Sequence, residues 1–174
     1  GVEVLGLADL ARYPEPEETE RTFEGNAFLK ATAAARETGL VAVADDSGLE
    51  VDELNGMPGV RSARWAGPAC DDEDNNALLL AQLDGVPAER RTARFVCALA
   101  MVTPDGERLV WHGRMPGRNG DAPAGENGFG YDPLFIPAGL EVSSAELTPA
   151  EKDSISHRGI AVRAFVDWLG ELDA

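Results

Sequence analysis

Asp45 and Asp46 are adjacent carboxylates that follow the apolar run Leu40-Val41-Ala42-Val43-Ala44 and precede Ser47-Gly48. Two acids side by side repel each other unless a cation stands near. The apolar run reads as a strand ending at the acids, and an α/β sheet gathers its ligands just beyond the carboxyl ends of its strands. Neighbouring side chains on an extended segment point to opposite faces, so one of the pair enters a shared site. A strand-end Asp serves Mg2+ sites and acidic turns alike, with Gly48 bending the chain in the second case; spacing alone leaves both readings open.

A second constellation is Ser156-His157-Arg158-Gly159. With Ser156 as a helix cap, His157 and Arg158 occupy the first turn, where a cation meets the positive end of the helix dipole. That sign opposes stability. A ligand with an anionic or carbonyl oxygen would reverse it by collecting the helix N–H groups and the guanidinium together. An exposed Arg paired with one of the many acids is the plainer alternative.

Gly128-Phe129-Gly130-Tyr131-Asp132-Pro133 sets two aromatics between glycines, which let the backbone approach a flat ligand. Stacking of a base on such a ring contributes about 1–3 kcal/mol. A tight turn with core aromatics would look the same. Lys152 suits a phosphate as a mobile point charge or water as a surface lysine. Asp71-Asp72-Glu73-Asp74 read as first-turn acids that complement a helix dipole rather than as a metal site. Two cysteines, Cys70 and Cys97, lack metal-ligand spacing, and no P-loop or Ser-His-Asp arrangement is present.

The elements that must position these groups follow from periodicity. Val2–Leu7 reads as a strand and 13–18 as an acidic loop with two prolines. Phe23, Ala27, Ala31, Ala34 and Ala35 mark a helix from Thr22 to Thr38, stopped by Gly39. The strand at 40–44 follows, and a second helix runs behind the acids at 71–74. Arg94–Val102 is apolar on both faces, as a central strand is, and turns at 103–107 into a hairpin partner at Leu109–Trp111. Leu134–Ile136 is a short strand, Thr148-Pro149-Ala150-Glu151 a capping box, and Ala161, Ala164, Phe165, Trp168 and Leu169 one face of a last helix. The strand, helix, strand order indicates an α/β class.

A chain of 174 residues with 44% hydrophobic content supports one substantial core. Its 31 acidic and 15 basic residues give a net charge of −16, which repels nucleic acid and anionic membranes. An anionic small molecule needs a local cation cluster or a divalent metal here. Cys97 lies in the apolar run Phe95–Leu99, and the unpaired cysteines together with the lack of a signal peptide or membrane-length segment indicate a cytoplasmic protein.

Five motifs in register resemble the inosine/xanthosine triphosphate pyrophosphatase family: TFEGNAFLKA at 22–31, ADDSGLEVDELNGMPGVRSARWAG at 44–67, RTARFVCALA at 91–100, NGFGYDPLFIP at 127–137 and AELTPAEKDSISHRG at 145–159. The resemblance implies Mg2+-dependent hydrolysis of ITP, dITP and XTP to the monophosphate and pyrophosphate. It implies a long mixed β-sheet flanked by helices, in two lobes with a central cleft, and a homodimer. Carried over by motif, Asp46 is the general base and a metal-linked carboxylate, and Glu18 or Glu17 is the second metal ligand, with neither preferred. Ser47 contacts substrate, Phe129, Gly130, Tyr131 and Asp132 line the base pocket, and Lys152, His157 and Arg158 hold the purine's 6-oxo side. A 6-oxo acceptor satisfies donors that an adenine amino group would leave unpaired.

The chain departs from the family pattern in three places. It opens beyond a Ser/Thr-x-Asn-x-x-Lys phosphate loop and its strand, so residues 1–174 are expected to form a single domain lacking about two dozen residues of strand, loop and helix. That expectation carries an alternative function, a catalytically impaired purine-nucleotide-binding protein. Pro123-Ala124-Gly125 stands where Pro-Arg-Gly is usual, and Asn119 stands at an apolar position.

Overall fold

The computed structural model describes residues 2–172. Five strands, β1 (Ala42–Val51), β2 (Met57–Pro58), β3 (Thr92–Val102), β4 (Arg108–Asn119) and β5 (Phe135–Pro137), form one sheet in the order β2-β1-β3-β4-β5. Four helices accompany it: α1 (Phe23–Thr38), α2 (Asp72–Gln82), α3 (Pro149–Ile155) and α4 (His157–Leu172). The α/β class and the helix-flanked sheet stand as expected, and every strand pairing among the described residues is antiparallel.

Local chemistry explains the helix boundaries. Thr22 Oγ1 accepts the Gly25 N–H at 3.0 Å to open α1, and Gly39, at φ 68°, closes it with its N–H on the Ala35 carbonyl. Asp71 caps α2 through the Asp74 N–H at 2.9 Å. The capping box at Thr148 and Glu151 opens α3, and Ser156 Oγ accepts the Gly159 N–H at 3.0 Å to start α4.

Three strand expectations are corrected. Val2–Leu7 is not a strand: the side chains of Val2, Val4 and Leu5 are exposed, and the first regular element is a short 3₁₀ turn at Leu7–Asp9. The strand expected at 40–44 starts at Ala42 and runs through both acids to Val51, with Asp45 opposite Leu99 and Asp46 opposite Ala98. The central strand β3 supplies a hydrogen-bond ladder along this whole length, and the ladder, not local polarity, sets where β1 ends. The strand at the hairpin return likewise extends from Arg108 to Asn119 because β3 pairs with all of it.

Alternation along β3 divides the core. Val96, Ala98, Ala100 and Val102 pack against Phe23, Ala27, Ala31 and Ala35 of α1, small side chains on both surfaces. On the other face Cys97 and Leu99 meet Ala161 and Phe165 of α4. A further cluster gathers Leu79 and Leu83 from the α2 region with Leu49, Val51, Phe95, Tyr131, Leu134 and Phe135. Each fully buried Leu there contributes roughly 1.5–3 kcal/mol by leaving water.

Two glycines record close approaches. A Cβ on Gly113 of β4 would stand 1.8 Å from the His157 carbonyl oxygen, so only glycine lets the first turn of α4 rest on the sheet. Gly48 does not bend the chain; it lies within β1, where a Cβ would meet the Gly59 carbonyl and Ser62 Oγ at 2.6 Å. Asn119, at 1% exposure, leaves both side-chain polar atoms without partners, which costs about 1–3 kcal/mol at a position suited to an apolar residue. Among the described residues, no helix is long and apolar enough to cross a membrane.

Candidate active site

A cleft of about 300 Å³ is lined by residues from α1, β1, α2, the 129–132 loop, α3 and α4. Its two halves take their charge from opposite faces of β1.

On the α1 face, Lys30 Nζ lies 3.0 Å from Asp46 Oδ1 and 3.1 Å from Glu18 Oε1. The small side chains under α1 allow this reach across the sheet. Glu18 Oε2 also accepts Arg64 Nη1 at 3.3 Å. Glu17 is exposed on the same loop and outside this cluster, so of the two acids Glu18 is the one placed with Asp46. Burial raises the Asp46 pKa, and nearby Glu18 adds to the rise although Lys30 opposes both. Glu18 is also raised by burial, but Lys30 and Arg64 outweigh that and hold it below the usual carboxylate range. Burial works to lower the Lys30 pKa, and its two carboxylates raise it above the ordinary value. One ammonium thus serves two acids. Asp46 is 8% exposed, and its Oδ2 has no hydrogen-bond partner.

On the α4 face, Asp45 Oδ2 accepts Arg158 Nε at 3.0 Å, Arg158 Nη2 at 2.9 Å and Ser47 Oγ at 3.0 Å. Asp45 therefore supports no turn, contrary to the acidic-turn reading; it anchors a cation and the adjacent hydroxyl. The Arg158 guanidinium is 5.9 Å from the Phe129 ring centroid, and Lys152 Nζ is 4.8 Å from it. Lys152 donates to Asp132 Oδ2, which also accepts the Phe129 N–H at 3.0 Å. His157 stacks on Phe95 with centroids 5.0 Å apart, and its buried Nδ1 has no partner. Burial, with Arg158 and Lys152 adding to it, depresses the His157 pKa to about 4, so the ring is neutral at pH 7. Tyr131 is pinned by its hydroxyl, which donates to the Ser62 carbonyl at 2.6 Å. Burial pushes the Cys97 thiol up to about 11, which leaves it inert as a nucleophile.

Ser47, Phe129, Gly130, Tyr131, Asp132, Lys152, His157 and Arg158 therefore share one cleft with Asp46. Sequence reasoning did not single out Lys30, Arg64 or three asparagines. Asn26 accepts the Glu20 N–H at 3.0 Å and donates to the Glu20 carbonyl, holding the loop that carries Glu18. Asn75 bridges the Ala63 carbonyl at 2.9 Å and the Ala66 N–H at 2.7 Å around Arg64. Asn76 donates to the Gly130 carbonyl at 2.9 Å. The available signal was an Asn on the apolar side of a helical repeat, where only a buried amide with backbone partners is tolerated.

The donor set suits a hard divalent cation. Asp46 and Glu18 supply carboxylate oxygens, and Asp46 Oδ2 keeps its lone pairs free. Mg2+ binds through one or two carboxylates and completes its shell with water and substrate phosphate, so a cage of three acids is not required. None occurs among the described residues.

Comparison with known proteins agrees over nearly the whole chain. A model of the Ham1 family matches residues 1–168. A dITP/XTP pyrophosphatase of Nocardia farcinica is 58% identical over 172 residues, spanning 99% of this chain and 84% of the relative. One from Cutibacterium acnes is 58% identical over 167 residues, covering 95% and 82% of the two chains. The crystal structure of a nucleoside-triphosphatase (dITP/XTP pyrophosphatase) from Mycobacterium abscessus superposes with a TM-score of 0.82 at 56% identity, covering 97% of this chain and 86% of that one. A HAM1 protein from Coxiella burnetii superposes with a TM-score of 0.86 at 42% identity, over 91% and 81%. With a family model over residues 1–168 and relatives at 58% identity over nearly the whole chain, the chain belongs to the Ham1 family.

Proposed function

We propose that this chain is a Mg2+-dependent pyrophosphatase that hydrolyses deaminated purine nucleoside triphosphates, ITP, dITP and XTP, to the monophosphate and pyrophosphate. The observation that carries the reading is Asp46: a buried carboxylate with one oxygen on Lys30 and the other unpartnered, at the edge of a cleft whose far wall carries Phe129, Lys152 and Arg158. The relatives named above carry dITP/XTP pyrophosphatase as their activity, which supports the same reaction here.

Asp46 accepts a proton from water as its oxygen bonds to the α-phosphorus, and the bond from that phosphorus to the bridging oxygen breaks to release pyrophosphate. A carboxylate whose pKa is raised by burial is a better base than a solvated one. Mg2+, held by Asp46 and Glu18, would neutralise the phosphate charge that develops as the anhydride breaks. Lys30 keeps Asp46 ionised and aimed. On the opposite wall, the purine stacks on Phe129, while Lys152 and Arg158 donate to a 6-oxo group; the adenine amino group would offer those donors no acceptor.

Pyrophosphate release from ITP, XTP, dATP and dGTP, each with Mg2+, tests the reading. ITP and XTP should exceed dATP, which lacks the 6-oxo group, in kcat/KM by about 10²-fold or more, the ratio expected when a polar site meets the wrong partner. Equal turnover of all four, or none, would overturn it.

A further inference from the structure

The acids at the start of α2 have a task that the helix dipole does not account for. Asp72 Oδ2 accepts the Gly130 N–H at 2.8 Å. Four residues on, and so on the same face of α2, Asn76 Nδ2 donates to the Gly130 carbonyl at 2.9 Å and to the Asp72 carbonyl at 2.8 Å. One helical turn thus grips both polar groups of a single residue in the base-pocket loop. The start of α2 does not need Asp72, because Asp71 already caps it and Glu73 and Asp74 also lie in its first turn. Asn76 Oδ1 is buried without a partner, so this side chain holds its place by donation alone.

Phe129 is 63% exposed, and its position is set through backbone rather than through core packing. Its own N–H is on Asp132, and the next residue's N–H and carbonyl are on α2. We propose that Asp72 and Asn76 are positioning residues that hold the Phe129-Gly130 peptide in the conformation that receives the purine ring, so that affinity for the base depends on the first turn of α2. The gain is pre-organisation: a loop already ordered loses less freedom when the ligand arrives. The inference rests on the proposed purine substrate.

The test measures calorimetric Kd values for IMP and for inorganic pyrophosphate, which need no turnover, in Asp72→Ala, Asn76→Asp and Asp72→Asn variants. Asn76→Asp replaces a donor with a carboxylate facing two carbonyl oxygens; Asp72→Asn keeps an acceptor for the Gly130 N–H. Loss of one or both bonds should weaken IMP about 3- to 10-fold, leave pyrophosphate within twofold, and be largely rescued in Asp72→Asn. If Asp72→Ala melts below the assay temperature, Asn76→Ala carries the test in its place. Equal weakening of both ligands would mark a merely structural role, and unchanged IMP affinity would overturn the inference outright. Absence of IMP binding by the unaltered protein would do the same. ITP turnover alongside unchanged IMP affinity in the variants would sink the positioning role alone and leave the proposed reaction standing.

Discussion

Asp45 and Asp46 are one residue apart in β1, yet they belong to different chemical environments. Asp46 faces α1, is buried beside Lys30 and Glu18, and keeps one oxygen free. Asp45 faces α4, and its Oδ2 is taken up by Arg158 and Ser47. The pleat of a strand separates neighbours by 180°, so a dipeptide of identical acids feeds two halves of one cleft. One half is arranged around a buried carboxylate with an unpartnered oxygen and the other around cations near an exposed aromatic ring. The difference teaches that repulsion between adjacent acids is relieved face by face, each by its own cation.

The largest effect should come from neutralising the carboxylate on the α1 face. Asp46→Asn should lower kcat about 10²- to 10⁴-fold in a pyrophosphate-release assay while melting stays near that of the parent, since the amide fills the same space. A variant with near-parental turnover would remove the distinction between the two acids.

Lys30→Met should act next. It leaves Asp46 and Glu18 together without their ammonium, so the Asp46 pKa climbs further and the acid limb of the kcat/KM profile moves to higher pH. The stability loss, about 1–3 kcal/mol, should be greater at pH 8 than at pH 5, where protonation relieves the repulsion. Arg158→Met on the other face should raise KM and leave that limb in place. A shift of the limb in both variants would show that the faces titrate as one unit.

A third effect, read from stability and not from turnover, separates the faces by sign. The His157 pKa is depressed from 6.5 to about 4, so this group carries no penalty above pH 6.5 and a growing one as pH falls toward 4, about 3 kcal/mol when complete. The Asp46 pKa is raised, so its contribution runs the other way and improves as pH falls. His157→Gln should therefore flatten the loss of denaturant midpoint between pH 7 and pH 4.5. An unchanged slope would assign the acid sensitivity to other groups.

Legibility in the sequence followed the range of the interactions. Thr22 and Gly39 announced α1 because caps bond within three or four residues. The end of β1 was misread at Asp45 because strand length depends on β3, some fifty positions away. Lys30 lay inside a quoted motif without a role, since nothing local says that a helix will lay it across Asp46. Asp72 looked like a dipole acid because its partner, Gly130, is 58 positions distant.

By itself the sequence determined the α/β class, the caps, the central strand and the set of motifs from which Asp46, Phe129, Lys152 and Arg158 are drawn. These depend on periodicity and on residue types that act locally. Only the tertiary structure decided which acid meets which cation, that Glu18 rather than Glu17 joins Asp46, and that β1 carries both acids in its interior. Those outcomes depend on the crossing of α1 and α4 over opposite faces of one sheet, and charge pairing in a cleft is a property of that crossing.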